Sequence, residues 1–188
     1  TTGTYTAKRE FFKTTSPSMD ILVSSNLERL LYHVTGSDTE VAALMKSLAE
    51  TGSYTVRPET LAAIQESFGC GWSSEAEVAG EIKARYEQDN YLCDTHTAVA
   101  FHVAEQQKRA GVPMVVLSTA SPFKFPRSVL EALGKAAPEN DFAAMQELEA
   151  ATGCAAPANL AALRQKAERF NTVIGPAQIA EVALSYQS

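Results

Sequence analysis

The sequence is short of the features that mark whole classes of protein. It has three cysteines, Cys70, Cys93 and Cys154, an odd number with no Cys-x-x-Cys pair. That argues against a disulfide framework and a structural zinc site; it suits a reducing cytoplasm, with all three read as free buried thiols. No apolar run is long enough to span a bilayer, so a transmembrane helix is excluded. The polar N-terminal stretch carries no hydrophobic signal region. A net charge of −6 argues against a nucleic-acid backbone as partner. The 10 glycines are dispersed and form no loop that could cradle a phosphate through backbone N–H groups. Gly69 and Gly71 flank a cysteine and precede Trp72 without that pattern. His96 and His102 are six residues apart, a rotation of about 240° on a helix, so they share no face and predict no metal pair. His33, beside Tyr32 on an amphipathic helix, reads as surface or packing.

The remainder is ordinary globular material, 45% hydrophobic and 20% charged over 188 residues, enough to bury a core. Helical patterns dominate. Leu27, Leu30, Leu31 and Val34 share one face, and Gly36 ends that helix. Ser37-Asp38-Thr39-Glu40 and Ser74-Glu75-Ala76-Glu77 are capping-box patterns. The first opens a helix with Val41, Leu44, Met45 and Leu48 inward, ending near Gly52. The second opens one with Val78, Ile82 and Tyr86 inward. Between them Pro58 suits a first helical turn, followed by Leu61, Ile64 and Phe68. Asp94 caps a long helix to Ala110. Ala-rich helices follow over roughly Arg127–Leu133, Asp141–Ala151 and Ala158–Phe170, with Pro176 starting a last one. Their mixed charges, such as Arg164, Lys166, Glu168 and Arg169, read as solvated faces. Strands are few: residues 1–13 run extended, Tyr54–Val56 and Tyr91–Cys93 are short, and Met114–Leu117 is a buried, central strand.

Three segments carry chemistry. Met114–Leu117 ends in Ser118-Thr119-Ala120-Ser121-Pro122-Phe123-Lys124-Phe125-Pro126, and ligands in open α/β sheets bind outside the carboxyl ends of strands. Upstream, Thr14-Thr15-Ser16-Pro17-Ser18-Met19-Asp20-Ile21 leads into Ser24-Ser25-Asn26-Leu27-Glu28-Arg29. Between them stands Asp94-Thr95-His96-Thr97-Ala98, a capped helix start with N–H groups free for an anion. In this order and spacing the three resemble the C-terminal portion of the threonine synthase family, with its STA-x-P-x-KF, SPSMDI-x-x-SSN-x-ER and DPHTA motifs. The resemblance runs from about Thr14 to Pro126; no motif follows Gly134. One departure is Thr95, where the family usually has Pro.

The resemblance implies a helix-rich α/β chain with few short strands, the C-terminal part of a pyridoxal-phosphate enzyme of fold type II (tryptophan synthase beta-like). Residues 1–134 would belong to the catalytic domain and 135–188 to a helical extension. A sheet divided between this chain and an N-terminal part of the same protein would account for the shortage of strands; the first residue, Thr rather than Met, fits a chain cut from something longer. The implied reaction takes O-phospho-L-homoserine and water to threonine and phosphate in the cytoplasm. The implied ring-nitrogen partner is the Thr119 hydroxyl, with Ser118 as the alternative; a hydroxyl leaves that nitrogen largely unprotonated. The same two hydroxyls could instead satisfy a turn. His96 would face the cofactor or simply complete the helix start. Ser16, Asn26, Arg29 and Lys124 would stand toward the substrate. Ser25 or Asn26 also reads as a helix cap, Arg29 as a surface partner of Glu28 or Asp20, and Lys124 as a snorkelling side chain. Phe123-Lys124-Phe125 is not the Schiff-base lysine, which in the family lies upstream with the phosphate cradle. This chain alone is therefore expected neither to hold the cofactor nor to act.

Two rivals stand beside this reading. A serine or threonine dehydratase of related fold would share the ring-nitrogen hydroxyl and need no substrate-phosphate site. A helical interaction module would need none of the motifs and would show an exposed apolar patch without a cleft.

Overall fold

The computed structural model describes residues 2–169 and 171–185. Two clusters of buried side chains organise them. The N-terminal cluster is built on β1 (Thr4–Thr6) and β2 (Ser53–Thr55), an antiparallel pair in which Tyr5 faces Tyr54. Their rings stack with centroids 5.4 Å apart, the cross-strand aromatic contact that favours this register. Helices α1 (Leu27–Thr35), α2 (Asp38–Thr51) and α3 (Pro58–Ser67) cover the pair. Leu31, Tyr54 and Val56 are buried at the centre, with Leu27, Val41, Leu44, Met45, Leu48, Leu61 and Ile64 against them. Burial pushes the Tyr54 phenol up to about 12, with Tyr5 and Glu28 adding to the effect.

The second cluster joins α4 (Glu75–Asp89), α5 (Thr95–Gln107), α6 (Pro126–Ala132) and α7 (Asp141–Thr152). Val78 and Ile82 of α4, Ala98 of α5, Val129 and Leu130 of α6, and Ala144, Met145 and Leu148 of α7 form one core with Cys93 and Phe123. Residues on both sides of position 134 therefore share a single core.

Local chemistry accounts for the helix ends. Gly36 and Gly52 close α1 and α2 in the left-handed conformation at φ 65° and 81°, where a Cβ would be strained. Ser74 and Glu77 form a complete capping box, and the Ser74 bonds hold the Glu77 carboxyl below the usual carboxylate range. At α2 the box is half made: Ser37 accepts from the Glu40 N–H, but the Glu40 carboxylate turns to Arg57. Asn26 occupies the N-cap position of α1 without capping it; its amide oxygen accepts from the Ser24 hydroxyl.

Several expected elements differ. Met114–Leu117 is not a central strand. It runs without regular structure, and Val115 and Leu117 are 76% and 75% exposed. A strand exists only through a ladder partner, and the two described strands pair with each other. Tyr91–Cys93 lacks a partner for the same reason and is irregular. Helix α5 stops at Gln107, short of Ala110. The helix expected over 158–170 shortens to α8 (Ala158–Ala161) and a 3-10 turn, Ala162–Gln165; Phe170 lies outside the described residues. Its side chains at 161–169 are exposed, and an isolated helix of this length is marginal without a packed face. A 3-10 turn at Pro176–Gln178 leads into α9 (Ile179–Ser185). Phe68 falls just past α3 and is exposed, rather than inward. Cys70 is exposed in the irregular stretch between α3 and α4, whereas Cys93 is buried.

Candidate functional site around the start of helix α5

Asp94, Thr95, His96 and Thr97 are all buried, an unusual density of polar side chains. Buried polar groups must find partners, and here, beyond the cap itself, the partners come from two distant segments, 14–20 and 118–126. Asp94 caps α5: its Oδ1 accepts from the His96 N–H at 2.9 Å and from the Thr97 N–H at 3.4 Å. The same oxygen lies 3.1 Å from His96 Nδ1, and Oδ2 accepts from the Thr97 hydroxyl.

Thr95 and His96 then reach the 14–20 segment, and Thr97 reaches Thr119. The Thr95 hydroxyl donates to the Thr15 carbonyl at 2.8 Å. His96 Nε2 accepts from the Ser18 N–H at 3.3 Å. That assigns the ring proton to Nδ1, facing the Asp94 carboxylate, since an amide N–H requires a bare acceptor nitrogen. The Thr97 hydroxyl accepts from the Thr119 N–H at 3.2 Å. The His96 ring lies against Phe125, with centroids 4.8 Å apart, and Lys124 Nζ sits 5.7 Å from the centroid of that same Phe125 ring. The three sequence motifs thus meet at one helix end.

The stretch before α1 is held there by its own bonds. The Asp20 carboxylate accepts from the Thr14 N–H at 2.8 Å and the Thr14 hydroxyl at 2.7 Å. These two bonds hold the Asp20 carboxyl below its ordinary range. The Thr14 hydroxyl in turn accepts from the Ser16 N–H. Glu75 of α4 accepts from the Thr15 N–H at 3.1 Å. Ser16 is buried, and its hydroxyl has no hydrogen-bond partner among the described residues.

Of the residues singled out from sequence, His96, Ser16, Thr119 and Lys124 gather around this helix end. Thr119 is exposed and lines a groove of about 810 Å³ with Ala100, Val103, Val115 and Leu117. Its N–H is taken by Thr97, while its hydroxyl has no protein partner among the described residues. Ser118 is exposed and has no hydrogen bond among the described residues. Asn26 and Arg29 lie with the N-terminal cluster instead. Arg29 lines an open groove between α1 and α2 with Glu28, Tyr32 and Met45, and neither Glu28 nor Asp20 pairs with it. The spacing of residues could not reveal Thr97 as the contact to Thr119; only the hydroxyl at a buried position of the first turn hinted at it. No group of three or more His, Cys, Asp or Glu among the described residues could hold a metal ion. Arg127 lines an open pocket with Lys124, Ser128 and Asp141.

The model of the family described as threonine synthase, C-terminal, matches residues 97–183. The threonine synthase of Methylobacillus glycogenes is 38% identical over 126 residues, covering 65% of this chain and 26% of that protein. That of Corynebacterium glutamicum is 34% identical over 155 residues, 78% of this chain and 32% of that protein. Threonine synthase-like 1 of Pongo abelii is 34% identical, and the chain spans 18% of its length. A crystal structure of pyridoxal-phosphate-bound threonine synthase from Brucella melitensis superposes on 99% of this chain and 36% of its own, with a TM-score of 0.79 and 36% identity. Yeast threonine synthase gives 0.78 over 99% of this chain and 38% of its own, at 25% identity.

Proposed function

This chain belongs to the threonine synthase family, matching its C-terminal portion, and we propose that it forms one wall of a site that converts O-phospho-L-homoserine and water to L-threonine and phosphate. The observation that carries the reading is the junction of Thr119, the start of α5 and the 14–20 segment through buried hydrogen bonds. The residues fit a pyridoxal ring. Thr119 offers a hydroxyl free of protein partners, beside the small and branched side chains of Ala100 and Val103 that suit an aromatic face. Pyridoxal phosphate, when bound, supplies the electron sink that lets the substrate lose a proton beside its amine.

The rest of the work falls to the chain. Thr119 would hold the ring nitrogen through its hydroxyl; Ser118, on the same exposed stretch, is the alternative. His96 braces the wall from behind, since both of its ring nitrogens are engaged. Ser16, with its unpartnered buried hydroxyl, and Lys124 stand toward the substrate. The Lys124 ammonium is exposed and suits the phosphate of an incoming ester better than a covalent bond to the cofactor. Asn26 and Arg29 could join only at the outer edge. The cofactor-bonding lysine and the phosphate cradle belong to a part of a longer protein outside these residues, so this chain is inactive by itself, and residues 135–188 form a helical extension whose α7 packs into the same core as the wall.

The test is made on a full-length protein carrying this sequence. Incubation with O-phospho-L-homoserine and pyridoxal phosphate should release threonine and phosphate in equal amounts. Thr119→Val should reduce turnover with the fold intact, because it removes one hydroxyl at nearly constant volume. Deamination of serine or threonine without phosphate release, insensitive to added inorganic phosphate, would overturn this reading in favour of a dehydratase.

A further inference from the structure

Thr119 stands on a stretch that little else restrains. Among the described residues, its N–H is the one group of residues 113–120 hydrogen-bonded to another element. The acceptor, the Thr97 hydroxyl, is 1% exposed in the first turn of α5. A hydroxyl has a single proton, and Thr97 gives it to Asp94 Oδ2. Asp94 is 0% exposed and already accepts from the His96 and Thr97 N–H groups, and a carboxylate has no proton to donate. The polarity of the relay is therefore set from the carboxylate outward: Thr97 must donate to Asp94, and its lone pairs must face the Thr119 N–H.

We propose that Thr97 is a positioning residue, whose hydroxyl, oriented by Asp94, fixes the Thr119 backbone and so aims the Thr119 side chain into the groove beside α5. Its consequence for chemistry rests on the role of Thr119 given above; the tether itself does not. Valine at position 97 would fill nearly the same volume but offer neither donor nor acceptor, and serine would keep both.

The experiment measures backbone amide exchange by residue-resolved mass spectrometry on a full-length protein carrying this sequence, with Thr97→Val and Thr97→Ser beside the wild type. A net hydrogen bond of ordinary strength corresponds to about a fivefold change in an opening equilibrium. The Thr119 amide should exchange at least about fivefold faster in Thr97→Val. Thr97→Ser should restore slow exchange, and the Ile82 and Leu130 amides should stay unchanged as reporters of an intact core. Equal Thr119 exchange in wild type and Thr97→Val would overturn the proposal, as would failure of serine to restore it. On the full-length protein, Thr97→Val should also shift the absorption of the bound cofactor. A lost tether with an unshifted spectrum would uphold Thr97 as the anchor and overturn the placement of Thr119 at the ring nitrogen.

Discussion

Replacing Asp94 by alanine tests whether the start of α5 is the keystone its hydrogen bonds suggest. The carboxylate is 0% exposed and receives the His96 N–H, the Thr97 N–H, the proton between Nδ1 and Oδ1, and the Thr97 hydroxyl. Losing an N-cap alone costs about 1 kcal/mol. Each buried donor left unpaired costs roughly 1–3 kcal/mol more, and at least two of the four cannot reach water without moving the helix. Relief from burying a carboxylate offsets part of this. The net expectation is a loss of about 3–5 kcal/mol, or a melting temperature lower by roughly 10 °C in a chain of this size. Asn140 provides the internal comparison: it caps α7 by one bond, accepting from the Ala143 N–H at 3.0 Å, and is exposed. Asn140→Ala should cost only about 1 kcal/mol. Asp94→Asn should fall between, because the amide keeps one acceptor but leaves either the Thr97 hydroxyl proton or the donors on Oδ1 without theirs. Urea unfolding followed by far-ultraviolet circular dichroism measures all three. If Asp94→Ala costs no more than Asn140→Ala, the four bonds are not the load the geometry assigns them.

Two further outcomes follow from burial and exposure. Burial, reinforced by the neighbouring Asp94, pushes the Cys93 thiol up to about 12 from 9.0, so it stays protonated in the folded chain while its unfolded counterpart ionises. The raised value adds stability below pH 9 that is lost as pH rises toward about 12; Cys93→Ala should flatten that alkaline slope in urea titrations, and an unchanged slope would refute the cause. Val115 and Leu117 are exposed apolar side chains on an extended stretch with unpaired backbone, a template for pairing between copies. The chain should therefore self-associate at high concentration, and Val115→Lys with Leu117→Lys should restore a monomer in sedimentation velocity; a wild-type chain that stays monomeric refutes it.

How much of this was legible beforehand depended on how far apart the partners lie. Capping is decided within four residues, so Ser37, Ser74, Asp94, Pro58, Gly36 and Gly52 announced the helix boundaries directly. The apolar faces of α1, α2 and α4 followed from periodicity and met the two cores as expected. The motif order also carried the family, because it records which residues a shared fold requires at fixed distances along the chain.

The rest was settled by contacts between distant segments. Met114–Leu117 has the composition of a buried strand, but composition cannot supply a ladder partner, and among the described residues none pairs with it. His96 read equally well as a ligand group or a capping residue; its tautomer depends on Ser18, 78 positions away in sequence. Asn26 and Arg29 follow the Ser16 motif closely along the chain, yet they lie with a different core, because α1 packs its apolar face on Tyr54 and Val56 rather than on α5. Local sequence therefore determined where helices begin and end and which face each one buries, since those choices depend on neighbours a turn apart. Only the tertiary structure decided that the buried Thr97 hydroxyl would meet Thr119, because a hydrogen bond across 22 residues exists only once the packing has brought both ends together.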